Sequence, residues 1–281
     1  MMIYQTKYKR EIGMGDHHQF GSGEPEEAVL NRLRLLERVY DPVTTRHLAS
    51  LGVARGWNCL EVGAGAGSVA TWLSAKVRPE GKIVATDINT RFLHQIADPN
   101  IEVRRHDILA DHLEENQYDL VHCRTLLMWL RDPEKALRKM ADAVRPGGWL
   151  MLEETDYGSI LSVESSNPSA AVFSDTWRTG IDFLRKNKIA DPYFGRQIRN
   201  LIDQLGFIEG KNEGWTRICR GGEPMARFDL AAVQMAAQPM INAGLLASDK
   251  LEMMQGLLMD TTFDYPGLTM FSSWGRKPGE R

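Results

Sequence analysis

Cys59-Leu60-Glu61-Val62-Gly63-Ala64-Gly65-Ala66-Gly67-Ser68 joins a short apolar run to a glycine-rich turn, and Val69 to Ala75 continues it with helical character. An apolar strand that breaks into closely spaced glycines and then into a helix is how a nucleotide-type cofactor loop begins in an open α/β sheet. A dinucleotide fingerprint places glycines at the first, third and sixth positions of such a turn. Counting from Gly63 gives Gly63, Gly65 and then Ser68, with the third glycine at Gly67 instead, so the dinucleotide match is imperfect. Glu61 stands two residues before the first glycine, where a carboxylate favours a cofactor that carries positive charge.

Downstream of this turn the chain alternates strands with helices. Pro79-Glu80-Gly81 breaks the first helix, and Lys82 to Asp87 reads as a second buried strand ending on an acid. A helix over Thr90–Ala97 leads to a third strand, Ile101–His106, and a polar turn leads to a fourth, Tyr118–His122. Asp132 is placed to cap a helix that has Pro133 at its first position and is stopped by Pro146-Gly147-Gly148, before a fifth strand, Trp149–Glu153. Short connections between alternating elements imply a parallel sheet with right-handed crossovers, covered on both faces. Upstream, Val29, Leu33, Leu36 and Tyr40 give an amphipathic helix over 24–40 with Asp41-Pro42 as its stop, and a second helix covers 43–51. Residues 1–23 are polar and glycine-rich around His17-His18, which suits an arm or lid. Beyond Asp156 the rhythm changes. A helix over 170–187 forms an inserted cap, 197–205 is helical, 207–218 is extended, and helices over 228–243 and 249–260 precede a last strand, Leu268–Trp274.

Length and composition bound the reading further. At 281 residues, one α/β domain over 24–281 with cap insertions at about 157–192 and 222–264 is expected. Its 34 basic and 37 acidic side chains leave a formal charge of −3 with no long run of either sign, which argues against a nucleic-acid partner. Three widely spaced cysteines fit neither a zinc knuckle nor a disulfide framework, so no metal is expected and a reducing compartment is. No apolar run approaches the ~20 residues needed to cross a bilayer, and the polar N-terminus lacks a signal-peptide core, so a cytoplasmic protein without a membrane partner is expected.

Glu61-Val-Gly63-Ala-Gly65-Ala-Gly67, Asp87, His106-Asp107-Ile108, Tyr118-Asp-Leu-Val-His-Cys-Arg124 and Arg145-Pro-Gly-Gly148 follow one another in order across residues 57–155. Together they resemble the successive motifs of class I S-adenosylmethionine (SAM)-dependent methyltransferases, and the whole pattern resembles UbiE-like and bacterial natural-product members of that family. The resemblance implies a doubly wound, Rossmann-like α/β fold with a seven-stranded sheet in the order 3-2-1-4-5-7-6, the last strand antiparallel. It implies SAM as cofactor and S-adenosylhomocysteine as product. By position, Glu61, Gly63, Ala64, Gly65 and Gly67 would surround the methionine moiety, Asp87 would bind the ribose, Ile88 and Ile108 would sandwich the adenine, and Asp107 would accept from its amine. Cys123 and Arg124, just past strand four, would lie under the methionyl group. Each role has a plainer counterpart: Asp87 as a helix cap, Asp107 as a turn residue, the isoleucines as core.

Methyl transfer from a sulfonium is an in-line displacement, so alignment does most of the work and a base is needed only where the attacking atom carries a proton. The candidates are His122 on strand four, Glu154 and Asp156 beside Glu153 on strand five, and His18 on the arm, with core or capping roles equally open to them. Strand four is followed by Cys-Arg-Thr-Leu rather than an Asn or Asp with two prolines and an aromatic, which argues against methylation of nucleobase amines. Methionines and aromatics in the cap helices suit a partly apolar small molecule, a secondary metabolite or quinone-like ring, methylated on O, N or C. A homodimer or higher homo-oligomer fits the helical caps, and a SAM-binding regulatory or assembly protein and an RNA methyltransferase are the alternative functions.

Overall fold

The structure, a computed structural model, describes residues 25–161 and 170–279. The expectation of a lid over 1–23, and with it His17 and His18, lies outside the described residues. Seven strands form one sheet in the order β3-β2-β1-β4-β5-β9-β6. They are β1 (Asn58–Val62), β2 (Lys82–Asp87), β3 (Ile101–Arg105), β4 (Tyr118–Arg124), β5 (Val144–Asp156), β6 (Ile208–Trp215) and β9 (Thr269–Arg276). β1 to β5 pair in parallel, and β9 enters between β5 and β6, antiparallel to β6. This is the expected Rossmann-like order. A second, two-stranded sheet pairs β7 (Ile218–Arg220) with β8 (Asp264–Pro266).

The helices are α1 (Glu26–Ser50), α2 (Ser68–Val77), α3 (Pro133–Ala143), α4 (Ala170–Lys186), α5 (Ile198–Gln204), α6 (Pro224–Asn242) and α7 (Ser248–Met259). α3 starts where its cap signal places it: Asp132 Oδ1 accepts from the Lys135 amide at 2.9 Å and Pro133 takes the first position.

The chain divides into two compact units. One holds Tyr40–Thr155, Phe194–Trp215 and Met270–Arg281, and contains nearly all of the large sheet. Its core gathers Leu48, Leu51, Leu73, Val77, Ile83, Leu93, Leu120 and Met151, all buried, from α1 and the residue after it, α2, the central strands and the turn at Leu93. The other holds, of the described residues, 25–39, 156–161, 170–193 and 216–269. Within it Phe173, Phe263 and Tyr265 pack ring on ring, with centroids 4.9 Å apart for Phe173 and Tyr265 and 5.3 Å for Phe173 and Phe263. Among the described residues no helix is long and apolar enough to cross a membrane.

Four local expectations are corrected. Asp41-Pro42 does not stop the first helix, because α1 runs through Pro42 to Ser50. An internal proline costs a helix about 3 kcal/mol. Burial of Tyr40, Val43 and Leu48 on both sides of Pro42 offsets that cost. The helix expected over 90–97 is a single 3-10 turn, Leu93–Gln95. Pro146-Gly147-Gly148 lies inside β5 rather than before it, where Gly147 takes a φ of 77° and its amide bonds to the Lys277 carbonyl. The extended stretch 207–218 is two strands in two different sheets, β6 and β7.

Candidate functional site

The glycine turn leaves β1 with positive φ at Gly63 (73°), Gly65 (58°) and Gly67 (85°), a backbone that side chains disfavour. A side chain at the last of these would also have to displace Ile96, since a Cβ on Gly67 would stand 2.3 Å from Ile96 Cδ1. The turn is anchored to β2 by its amides: Gly63 and Ala64 both donate to the Thr86 carbonyl at 2.9 Å, and Gly65 donates to Asp87 Oδ2 at 3.0 Å. Asp87 Oδ1 accepts from the Asn89 amide at 2.9 Å. Burial pushes the Asp87 carboxyl up, while the amides of Asn89, Gly65 and Ile88 pull it back. The structure thus brings Asp87 and the glycine turn together, with Ile88 half-buried and Ile108 buried. The His106 amide bonds to the Asp87 carbonyl at 3.0 Å, which sets Asp107 and Ile108 beside the end of β2. Asp107 Oδ1 accepts from the Leu109 amide at 2.9 Å, a turn contact of its own.

Behind the turn lies a buried polar chain. The Glu61 side chain faces His122: its Oε2 is 2.7 Å from Nδ1, and the opposite ring nitrogen, Nε2, is 3.2 Å from Glu153 Oε2. All three residues are at most 3% exposed. Burial disfavours an imidazolium, but the charges of Glu61 and Glu153 and their hydrogen bonds overcome it and raise His122 to about 9. Burial likewise works against the Glu153 carboxylate, yet His122, Arg124 and the Ser272 hydroxyl hold it at about 2. Ser272 Oγ donates to Glu153 Oε1 at 2.6 Å, and the Thr44 hydroxyl donates to Oε2. Arg124 donates from Nη1 to Thr44 Oγ1 and from Nη2 to Asp41 Oδ1, each at 2.8 Å. Ser68 Oγ, on the first residue of α2, reaches the same Asp41 oxygen at 3.1 Å. The chain therefore runs from β1 through β4, β5 and α1 back to the helix that follows the glycine turn.

Cys123 and Arg124 are the last two residues of β4, not the residues after it, because Cys123 pairs with Val62 on one side and Leu152 on the other. The expected acidic cluster is dispersed. Glu154 Oε1 accepts from the Leu126 and Leu127 amides at 2.9 and 2.6 Å, holding the 3-10 turn Leu127–Trp129, while its Oε2 is buried without a partner. Burial raises this carboxyl to about 8 against those amides. Asp156 Oδ1 accepts from the Gly158 amide at 2.7 Å. Nothing local in the sequence marks Asp41, Thr44 and Ser272 as members of the buried chain, and Asp41 reads there as a helix stop. It also missed Thr125, a β-branched residue at φ 52° directly after β4, a strained backbone of the kind concentrated at functional sites. No local signal marks it. Among the described residues no group of three or more His, Cys, Asp or Glu is placed to hold a metal ion.

The model of the methyltransferase domain family matches residues 26–208. Methyltransferase str2 of Strobilurus tenacellus is 26% identical over 148 residues, covering 51% of this chain and 50% of that protein. A ubiquinone/menaquinone biosynthesis C-methyltransferase UbiE, from Idiomarina loihiensis, is 28% identical over 165 residues, covering 56% and 59%. The chain thus spans about half of the length of these curated relatives. Among solved structures, the YcgJ protein of Bacillus subtilis superposes with a TM-score of 0.53 at 13% identity over 84% of this chain and all of that one, a likeness of fold.

Proposed function

We propose, because this chain belongs to the methyltransferase domain family of class I SAM-dependent enzymes, that it transfers a methyl group from SAM to an O, N or C atom of a partly apolar small molecule. SAM is the cofactor of the family and of this chain. The observation that carries the reading is the joining of the glycine turn to Asp87. The residues present fit the cofactor. Three positive-φ glycines leave a turn whose backbone a ligand can approach closely. Asp87 accepts the Gly65 amide on Oδ2 and the Asn89 amide on Oδ1, with Ile88 close by, and the carboxylate keeps acceptor capacity for ribose hydroxyls. Ile88 and Ile108 offer apolar surface for the adenine, Asp107 an acceptor for its amine, and Glu61 with the turn residues Gly63 to Gly67 the seat for the methionine moiety.

When bound, the cofactor supplies a methyl group activated on a sulfonium. The chain's own task is orientation and exclusion of water, since in-line transfer depends chiefly on alignment. His122 is enclosed between two carboxylates and Glu154 holds two amides, so we assign them to the framework rather than to proton removal. The relative named for ubiquinone/menaquinone biosynthesis supports an acceptor of the quinone kind. The same reading keeps the insertions at about 157–192 and 222–264 for acceptor recognition, 1–23 as a lid, a cytoplasmic location and a homodimer.

Calorimetry with SAM and S-adenosylhomocysteine tests the proposal. Both should bind, and Asp87→Ala should weaken both by roughly 1.5 to 3 kcal/mol through loss of charged hydrogen bonds. No binding by folded protein overturns it. A SAM-binding regulatory protein without transfer is favoured by one observation, the structural engagement of the described candidate bases, and turnover with any quinone-like acceptor rejects that alternative.

A further inference from the structure

Helix α6 carries a carboxyl that its surroundings do not equip to be charged. Asp229 is completely buried, and its described partner is a neutral group, the Tyr265 hydroxyl, which donates to Oδ2 at 2.6 Å. Oδ1 is buried without a partner. Tyr265 is itself enclosed, with the Phe173 and Phe263 ring centroids 4.9 and 5.8 Å from its own. Around Asp229, α6 packs on α4, α7 and β7. Every charged side chain of α4 and α7 is exposed, and Arg220 of β7 pairs with Asp264 of β8 at the surface. On α6 itself Arg227 donates to the Gly222 carbonyl, and at its head Glu223 pairs with Arg217. Arg32 of α1 meets the helix further on, at the Met235 sulfur. The Cys219 thiol of β7, which feels Asp229, is pushed up to about 12 by burial and stays neutral. Among the described residues no cation reaches either Asp229 oxygen.

We propose that Asp229 is a pH-operated latch: as a neutral acid joined to Tyr265 it holds α6 against β8, and when it ionises it releases that helix toward water. A carboxylate removed from water without a cation is costly, so the closed arrangement favours the protonated form. Burial raises Asp229 to about 7, against the pull of the Tyr265 hydroxyl. A carboxyl raised on folding contributes stability that is full below about 3.8 and is lost as pH rises through about 7. The strain of the buried anion is relieved by opening the element that carries it, which costs less than unfolding the whole chain. Both α6 and β8 lie in the insertion at about 222–264, so on the proposed function the latch sets how readily the acceptor region opens. The latch itself rests on the buried carboxyl.

Hydrogen exchange read by mass spectrometry tests the latch, in wild type and in Asp229→Asn, between pH 6 and 8 and after correction for the intrinsic pH dependence of exchange. Over that range the protection of peptides from α6 and β8 should fall about tenfold more in wild type than in the variant. Any contribution of Glu154, which stands at about 8, is common to both proteins and cancels in the comparison. Peptides from β1 and β4 should behave alike in the two. Tyr265→Phe removes the donor to Oδ2 and should move the transition to higher pH. Equal pH dependence in wild type and Asp229→Asn overturns the latch. A difference that extends equally to β1 and β4 also overturns it, because Asp229 then weighs on the whole chain rather than on one helix. Should the variant fail to fold, carbon NMR of the wild-type Asp229 carboxyl decides: a proton kept at pH 6 supports the latch, and a carboxylate at pH 6 overturns it. No cofactor or acceptor enters these measurements, so they fail or hold separately from the calorimetry that tests the proposed function.

Discussion

Glu153 and Glu154 are neighbours on β5, both completely buried, and they carry opposite charges of fate: one is held at about 2 and the other is raised to about 8. Successive strand residues face opposite sides of a sheet. Glu153 meets an imidazolium, two hydroxyls and, through Thr44, a guanidinium. Glu154 meets two backbone amides on one oxygen and no partner on the other. Burial acts on both in the same direction, so the difference belongs to their partners. A carboxylate ringed by cations is a structural ion, and one given only amides is an acid that keeps its proton near neutrality.

The largest expected effect comes from breaking the better-served side. Glu153→Gln leaves His122 with one counter-charge, and leaves Arg124, which keeps Asp41, without the anion it reaches through Thr44. Removing one partner of a buried pair costs about 3 to 5 kcal/mol, read as a lower urea midpoint at pH 6. A loss under about 1 kcal/mol would show that Glu153 is dispensable. The pH dependence follows from the same groups. The raised His122 contributes stability that is full below about 6.5 and is lost as pH climbs through about 9. The lowered Glu153 contributes stability that is full above about 4.5 and is lost as pH falls through about 2. Both contributions are complete between about pH 4.5 and 6.5.

Glu154→Gln should act in the other direction. A carboxyl raised on folding gives stability that is full below about 4.5 and is lost as pH rises through about 8. Glutamine keeps an acceptor for the Leu126 and Leu127 amides and has no proton to lose, so the variant should gain on the order of 2 kcal/mol at pH 7 and nothing at pH 4. Equal stability of the two proteins at pH 7 would mean that Glu154 is ionised in the fold.

These opposed environments explain what was legible in the sequence. Buried parallel strands read as apolar runs, and Cys59–Val62, Ile83–Ala85 and Leu120–Val121 declared the sheet because both of its faces are covered. Gly63, Gly65 and Gly67 declared the turn because no other residue takes those angles without strain. The separation of Glu153 from Glu154 was not visible, since it depends on Thr44 and Ser272, 109 and 119 residues away along the chain. Asp41 was misread for the same reason. Locally it is a polar residue before a proline; burial of Tyr40, Val43 and Leu48 carries the helix past it, and only the fold brings its carboxylate to Arg124 and Ser68.

Ser272→Ala gives the smallest effect and the sharpest reading of how partners set the charge. The hydroxyl on β9 is the donor to Glu153 Oε1, while Thr44 and His122 both serve Oε2. Alanine removes that donor without changing charge, which should cost about 1.5 kcal/mol at pH 6, the value of one hydrogen bond to a charged group. The loss should grow in acid, because a carboxylate with one donor fewer takes its proton at higher pH and the acid-unfolding midpoint moves up with it. In a Glu153→Gln background the same substitution should cost less than half as much, since no charge is left for the hydroxyl to serve. Equal cost in the two backgrounds would assign Ser272 to packing and leave His122 and Arg124 as the whole reason that Glu153 and Glu154 differ.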